Sequence, residues 1–148
     1  MIKLSQRDPR WATKTIGTTK VSVGKMGCTL TSLCMIADYF GTKIMPDSMA
    51  ALKQYNAQAK IIWTKIKLPL FAWEYRAYKR EDVKIKKYLA DPKKAVMLEV
   101  NNGQHWVVAV KVSTDGKSYI VRDPWTGTDV DVIKVYHNIT GAAYFTKA

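Results

Sequence analysis

The chain has 148 residues, 47% of them hydrophobic and five of them tryptophan. That is the size of one domain, residues 1–148, with apolar side chains enough for a sizeable core. No apolar run is long enough to cross a bilayer, and the segment Met1 to Asp8 lacks the apolar stretch of a signal peptide. Twenty-four Lys and Arg against twelve Asp and Glu give a net charge of +12, which fits either attraction to an anionic polymer or acidic protein, or a solvated lysine-rich surface. Arginine is scarce and no aromatic–basic nucleic-acid motif is present, which argues against nucleic acid as the partner.

Residues Arg7 to Lys25 carry Pro9, Gly17 and Gly24 among polar side chains, the composition of an ordered loop with one short strand, anchored by Trp11. From Cys28 to Phe40 the apolar positions Leu30, Leu33, Cys34, Ala37 and Phe40 recur at helical spacing, with Gly41 as the C-terminal stop. Pro46-Asp47-Ser48 opens a second helix, expected to run to about Tyr55. Ile61 to Arg80 is ambiguous: Ile61-Ile62-Trp63 is strand-like, and Pro69 interrupts the residues after it. Glu81 to Ala90 reads as a helix closed by Asp91-Pro92. The second half changes period. Strands are expected at Ala95–Val100, Trp106–Val112, Tyr119–Arg122, Asp131–Tyr136 and Ala142–Thr146, forming a meander, with turns at Asn101–Gln104 and Thr114–Lys117. Helices followed by an antiparallel sheet is the α+β pattern.

Chemistry concentrates at Cys28, which follows Gly27 and begins the first helix. A helix N-terminus presents unpaired N–H groups and the positive end of the dipole, and both favour thiolate over thiol. Cys34, six positions on, points elsewhere, and a disulfide within one helix at that spacing is geometrically poor. Two thiols with no C-x-x-C are too few for structural zinc. Both read as free thiols in a reduced, cytoplasmic setting, in a soluble monomer made without an export signal or in a module of a longer protein. No cofactor or metal is expected.

Two histidines are present. His105 stands where a turn meets a strand, exposed on one side and held on the other, which suits a base better than His137, expected at the surface. Asp123 lies 18 residues after His105. A hairpin loop spanning Ser113–Gly116 would set Pro124 opposite His105, one residue from Asp123. A two-residue Asp115-Gly116 turn would move the partner to Thr126, about 10 Å from the required place by strand rise. With the longer loop, Asp123 accepts from one imidazole nitrogen and leaves the other for Cys28. An oxyanion donor is also needed. The Cys28 N–H is one candidate, and Gln6, Gln54, Gln58 and Gln104 compete for the other. Trp63, Trp73, Trp106 and Trp125 are expected to line core or cleft, and Trp106 also to shield the His105–Asp123 pair.

The run Leu4-Ser5-Gln6-Arg7-Asp8-Pro9-Arg10-Trp11, then Gly27-Cys28-Thr29-Leu30-Thr31-Ser32, then Gly103-Gln104-His105-Trp106-Val107-Val108 and Asp123-Pro124-Trp125-Thr126-Gly127, resembles the papain-like cysteine peptidases that process bacteriocin leaders, and their stand-alone bacterial and phage relatives. The resemblance spans about Leu4 to Gly127. It implies a papain-like fold, with a helical part led by Cys28 packed on a sheet carrying His105 and Asp123. It also implies that Cys28 is the nucleophile, His105 the base, Asp123 its orienting partner and Gln6 the oxyanion-hole residue, which chooses among the glutamines. The lysine-rich stretch from Asp47 to Asp91 is expected to form part of the substrate cleft. A peptide or protein is the expected substrate. Two other readings compete: a catalytically weak or inactive binding module with a basic docking surface, and a cell-wall peptide hydrolase.

Overall fold

The computed structural model describes residues 1–68 and 71–148, so the expected break at Pro69 lies outside the described residues. Helix α1 (Val23–Met26) leads through Gly27 into α2 (Cys28–Tyr39), and α3 (Pro46–Ala50) comes next. A 3-10 turn (Trp63–Lys65) precedes strands β1 (Lys67–Leu68) and β2 (Phe71–Ala77). Then come α4 (Asp82–Leu89), β3 (Lys94–Val100), β4 (His105–Val112), β5 (Tyr119–Asp123), β6 (Thr128–Asp131), α5 (Val132–Tyr136) and β7 (Gly141–Lys147). All seven strands join one antiparallel sheet in the order β1-β2-β7-β3-β4-β5-β6.

The order corrects the expected meander. Strand β7 lies between β2 and β3, in mid-sheet. Its run Gly141-Ala142-Ala143-Tyr144-Phe145 is buried throughout, because both edges are paired and both faces covered. The expected order of helices first and sheet after also needs revision. The ambiguous segment contributes β2, while Ile61 makes only an isolated bridge to Tyr55. Residues Asp131–Tyr136, expected as one strand, divide at Asp131: its carboxylate accepts from the N–H groups of Ile133 and Lys134 and so caps α5. Helix α3 stops at Ala50, well short of Tyr55. Gly41 does close α2, at φ +99° just beyond the capping Phe40.

Two cores form, one on each face of the sheet. Ala95, Met97, Val108, Ala143 and Phe145 pack with Leu30, Leu33, Cys34 and Ala37 of α2. Their neighbours along the same strands, Val96, Leu98, Val107, Ala109, Ala142 and Tyr144, pack with Ile85 of α4 and Val132 of α5. The period of two along each strand sends alternate side chains to opposite cores. The ordered N-terminal loop is held as expected: Trp11 is buried and its indole N–H donates to Ser5 O at 2.8 Å, and Thr15 bridges to Ser22.

Register decides where His105 and Asp123 point. The loop between β4 and β5 runs from Ser113 to Ser118, longer than a two-residue turn. Strand β4 also carries one extra residue, Val110, between the pairs Ala109↔Val121 and Lys111↔Ile120. Below that bulge, Val108 pairs with Arg122, so Val107 stands level with Asp123, and His105 and Asp123 are diagonal neighbours on one face. The expected pairing of His105 with Pro124 would have turned Asp123 to the other face, since a one-residue slip inverts every side chain.

An ion pair braces the end of β4 that carries His105. Glu99 of β3 pairs in register with Trp106. Its carboxylate meets the Arg76 guanidinium of β2 and accepts from Thr140 Oγ1 at 2.8 Å. Arg76 also lies over the Trp106 ring, 5.0 Å from its centre. Both charged side chains are only about one-tenth exposed (12% and 10%). Removing one partner of such a pair leaves the other charge uncompensated, so Glu99→Ala should cost about 3–5 kcal/mol of stability, read as a lowered urea midpoint.

Candidate active site

A cavity of about 340 Å³ opens where the start of α2 meets the ends of β4 and β5. Gln6, Cys28 and His105 line it, with Trp125 and Tyr136 as apolar walls. The sequence therefore converges on one place from five separate stretches of chain.

Cys28 is the first residue of α2, and Gly27 before it is required by space. A Cβ on Gly27 would lie 2.4 Å from Val23 O and 2.7 Å from Val23 Cγ1. Only glycine lets α1 run directly into α2 and so set the thiol at a helix start. His105 is the first residue of β4, directly after the tight turn Asn101–Gln104. Its Nε2 meets Asp123 Oδ1 at 2.8 Å, which leaves Nδ1 for Cys28. Asp123 is 4% exposed and needs its charge met. Besides His105, the Trp125 N–H donates to Oδ1 at 2.9 Å and the Tyr136 hydroxyl donates to Oδ2.

The charges respond to one another. Burial pushes the Asp123 carboxyl up, but the bonds from His105, Tyr136 and Trp125 outweigh it and hold the group below its ordinary value. Burial also opposes charge on His105, yet the bonds to Asp123 and Cys28 raise it to about 9. Cys28 obeys the same pattern in reverse: burial alone would raise the thiol, and the hydrogen bond and charge of His105 bring it down. Burial, with the charge of Asp47, drives Cys34 strongly up, as a core thiol. The two cysteines are both free, and they differ in kind.

Gln6 reaches the site because the N-terminal segment is tied to the loop after Asp123. Its N–H donates to Pro124 O at 2.7 Å, and the Ser5 hydroxyl and Arg7 Nε both donate to Trp125 O. The Gln6 side-chain amide donates to Gly24 O at 3.3 Å, which leaves a second N–H on a residue that lines the cavity. Gln54 is spent elsewhere, donating to Tyr55 Oη. Gln104 also lines the cavity, from the turn before His105, and is exposed.

Two expectations change. Trp106 does not cover the His105–Asp123 pair: it belongs to the α2-side core, edge-on to Trp63 at 5.1 Å. The ring beside His105 is Tyr136, 5.5 Å away. Nor does the stretch Asp47–Asp91 line the cavity among the described residues. Its Trp63 and Trp73 wall a separate groove adjoining Trp106. Tyr136 is missing from the candidate residues because its segment reads as a strand. The capping Asp131, three residues before Lys134, is the available signal for a helix there. His137 is exposed, as expected.

Among known families, the model of the Peptidase C39 family matches residues 19–138. No curated protein and no solved structure matches the chain.

Thiolate and imidazolium coexist between the lowered Cys28 value and the raised His105 value, and that window closes as pH rises through about 9. Iodoacetamide should therefore alkylate Cys28 faster than Cys34 at every pH below about 9, with Cys34 slow throughout. The same raised value means that the stability contributed by the His105 pairing is complete below its ordinary pKa of about 6.5 and is lost as pH rises through about 9. The contribution of Asp123 fades in the other direction, as pH falls below the ordinary carboxyl range.

Proposed function

Because this chain belongs to the Peptidase C39 family, and so to the cysteine peptidases in kind, we propose that it hydrolyses a peptide or related amide bond through a thioester on Cys28. The observation that carries this is the arrangement of the three charged groups: Asp123 on one nitrogen of His105, Cys28 on the other side, and the thiol lowered while the imidazole is raised.

In the first half-reaction the Cys28 thiolate attacks the carbonyl carbon. The electron pair of the C=O bond moves to oxygen, and the oxyanion is met by the Cys28 N–H at the start of α2 and by the free N–H of the Gln6 amide. His105, charged in the resting pair, gives its proton to the leaving amine as the C–N bond breaks. A thioester remains on Cys28 and the imidazole is neutral. In the second half-reaction water adds to the thioester carbonyl while His105 takes its proton. The tetrahedral intermediate collapses with expulsion of the thiolate, the acid departs, and His105 is again the imidazolium beside Cys28.

Asp123 takes no proton in this cycle. It fixes the tautomer and orientation of the ring and stabilises the imidazolium. Its three donors keep it ionised in a place where a bare carboxyl would be neutral. The low dielectric of the cavity strengthens each of these interactions over its value in water.

A defined peptide mixture, read by mass spectrometry, tests the assignment. Cys28→Ala should abolish every product formed by the wild-type protein. Gln6→Ala should lower kcat by about 10²–10³, the usual loss on removing one oxyanion donor, with the urea midpoint measured alongside to separate catalysis from folding. The same products at the same rate from Cys28→Ala would refute the thioester mechanism.

A further inference from the structure

Around the cavity, charge is one-sided. Lys25 lines it and no Asp or Glu does, among the described residues. Lys25 sits in the last turn of α1 and is exposed; its backbone N–H donates to the capping Ser22 hydroxyl at 3.2 Å, so its Cα is fixed while the side chain is free to reach. None of the ion pairs among the described residues uses its ammonium. A second cation packs against Trp125, a residue of the cavity wall. The Arg7 guanidinium lies 4.2 Å from the centre of the Trp125 ring, and its Nε donates to Trp125 O at 2.9 Å. The hydrogen bond from the Gln6 side-chain amide to Gly24 O ties the Gln6 stretch to the one that carries Lys25, and both Gln6 and Lys25 line the cavity.

We propose that Lys25 is a specificity-determining residue, drawing to the Cys28 rim a peptide substrate that carries a carboxylate close to the attacked bond. This rests on the cysteine-peptidase reading above and adds the substrate class to it. An acidic peptide approaching a chain of net charge +12 is favoured from a distance. Close in, a single ammonium on a flexible stem selects for charge rather than for one rigid geometry, unlike the planar fork of an arginine. Met26, next to Lys25 and 41% exposed on the same cavity wall, offers an apolar contact beside that charge.

The test needs no substrate. Iodoacetate carries a carboxylate and iodoacetamide is its neutral counterpart, and both alkylate thiolates. The ratio of their second-order rates should fall about two- to sixfold in Lys25→Gln at low ionic strength, and further in Lys25→Glu, with the difference collapsing near 1 M salt, where screening acts within about 3 Å. A ratio that is the same in all three proteins overturns the proposal. In a peptide mixture, wild-type cleavage sites should be enriched in neighbouring Asp and Glu, and that enrichment should disappear in Lys25→Gln. Cleavage without acidic enrichment overturns it equally. Failure of the underlying peptidase reading looks different: iodoacetamide would then react with wild-type Cys28 slowly and no faster than with Cys34.

Discussion

Asp123 is a carboxylate almost wholly removed from water, and the site is built by meeting its charge. A buried carboxyl left to itself would take up a proton. Here three donors from three parts of the chain converge on it: the imidazole at the start of β4, the backbone N–H of Trp125 just past β5, and the hydroxyl of Tyr136 at the end of α5. An ionised Asp123 makes a charged His105 favourable, and a charged His105 makes a thiolate at Cys28 favourable. The polarity of the cavity is thus set from the buried carboxylate behind it outward.

That chain of influence depends on a backbone detail. With the long β4–β5 loop and no bulge, Asp123 would stand level with Val108 and face α2, on the far side of the sheet from His105. The extra residue at Val110 shifts the register by one and returns Asp123 to the face of His105. Tyr136 can join from that face because α5 packs there, through Val132. The bulge and the cap at Asp131 are local irregularities that together complete the surroundings of one carboxylate.

Much of this is legible in the sequence, and the remainder is hidden for a common reason. The α2 helix, its stop at Gly41, the β3 and β4 strands and the turn before His105 all rest on short-range signals: helical spacing, glycine, and Asn-Asn-Gly. Cys28 can be read from its place at a helix start, His105 and Asp123 from turn arithmetic, and Gln6 from the resemblance; Gln6, Cys28 and His105 line one cavity, and Asp123 stands behind His105. Pairing between distant segments leaves no such trace. Ala142–Thr146 reads correctly as a strand, but nothing in its own residues says that it slots between β2 and β3. Hairpin arithmetic counts residues and has no means to see a bulge. Trp106 goes to the unexpected face for a related reason: the side of a strand that meets a given core depends on what packs there, which is a property of the assembled sheet.

The place of β7 has a consequence in time. During synthesis the ribosome releases Cys28 early and β7 last of the elements, yet β7 is the partner that links β2 to β3 at the centre of the sheet. Until it emerges, β3 lacks one of its two flanks, and the β1–β2 pair has no seat beside it. The His105–Asp123 pair, carried by β4 and β5, therefore gains the full support of its sheet only when the last strand is in place.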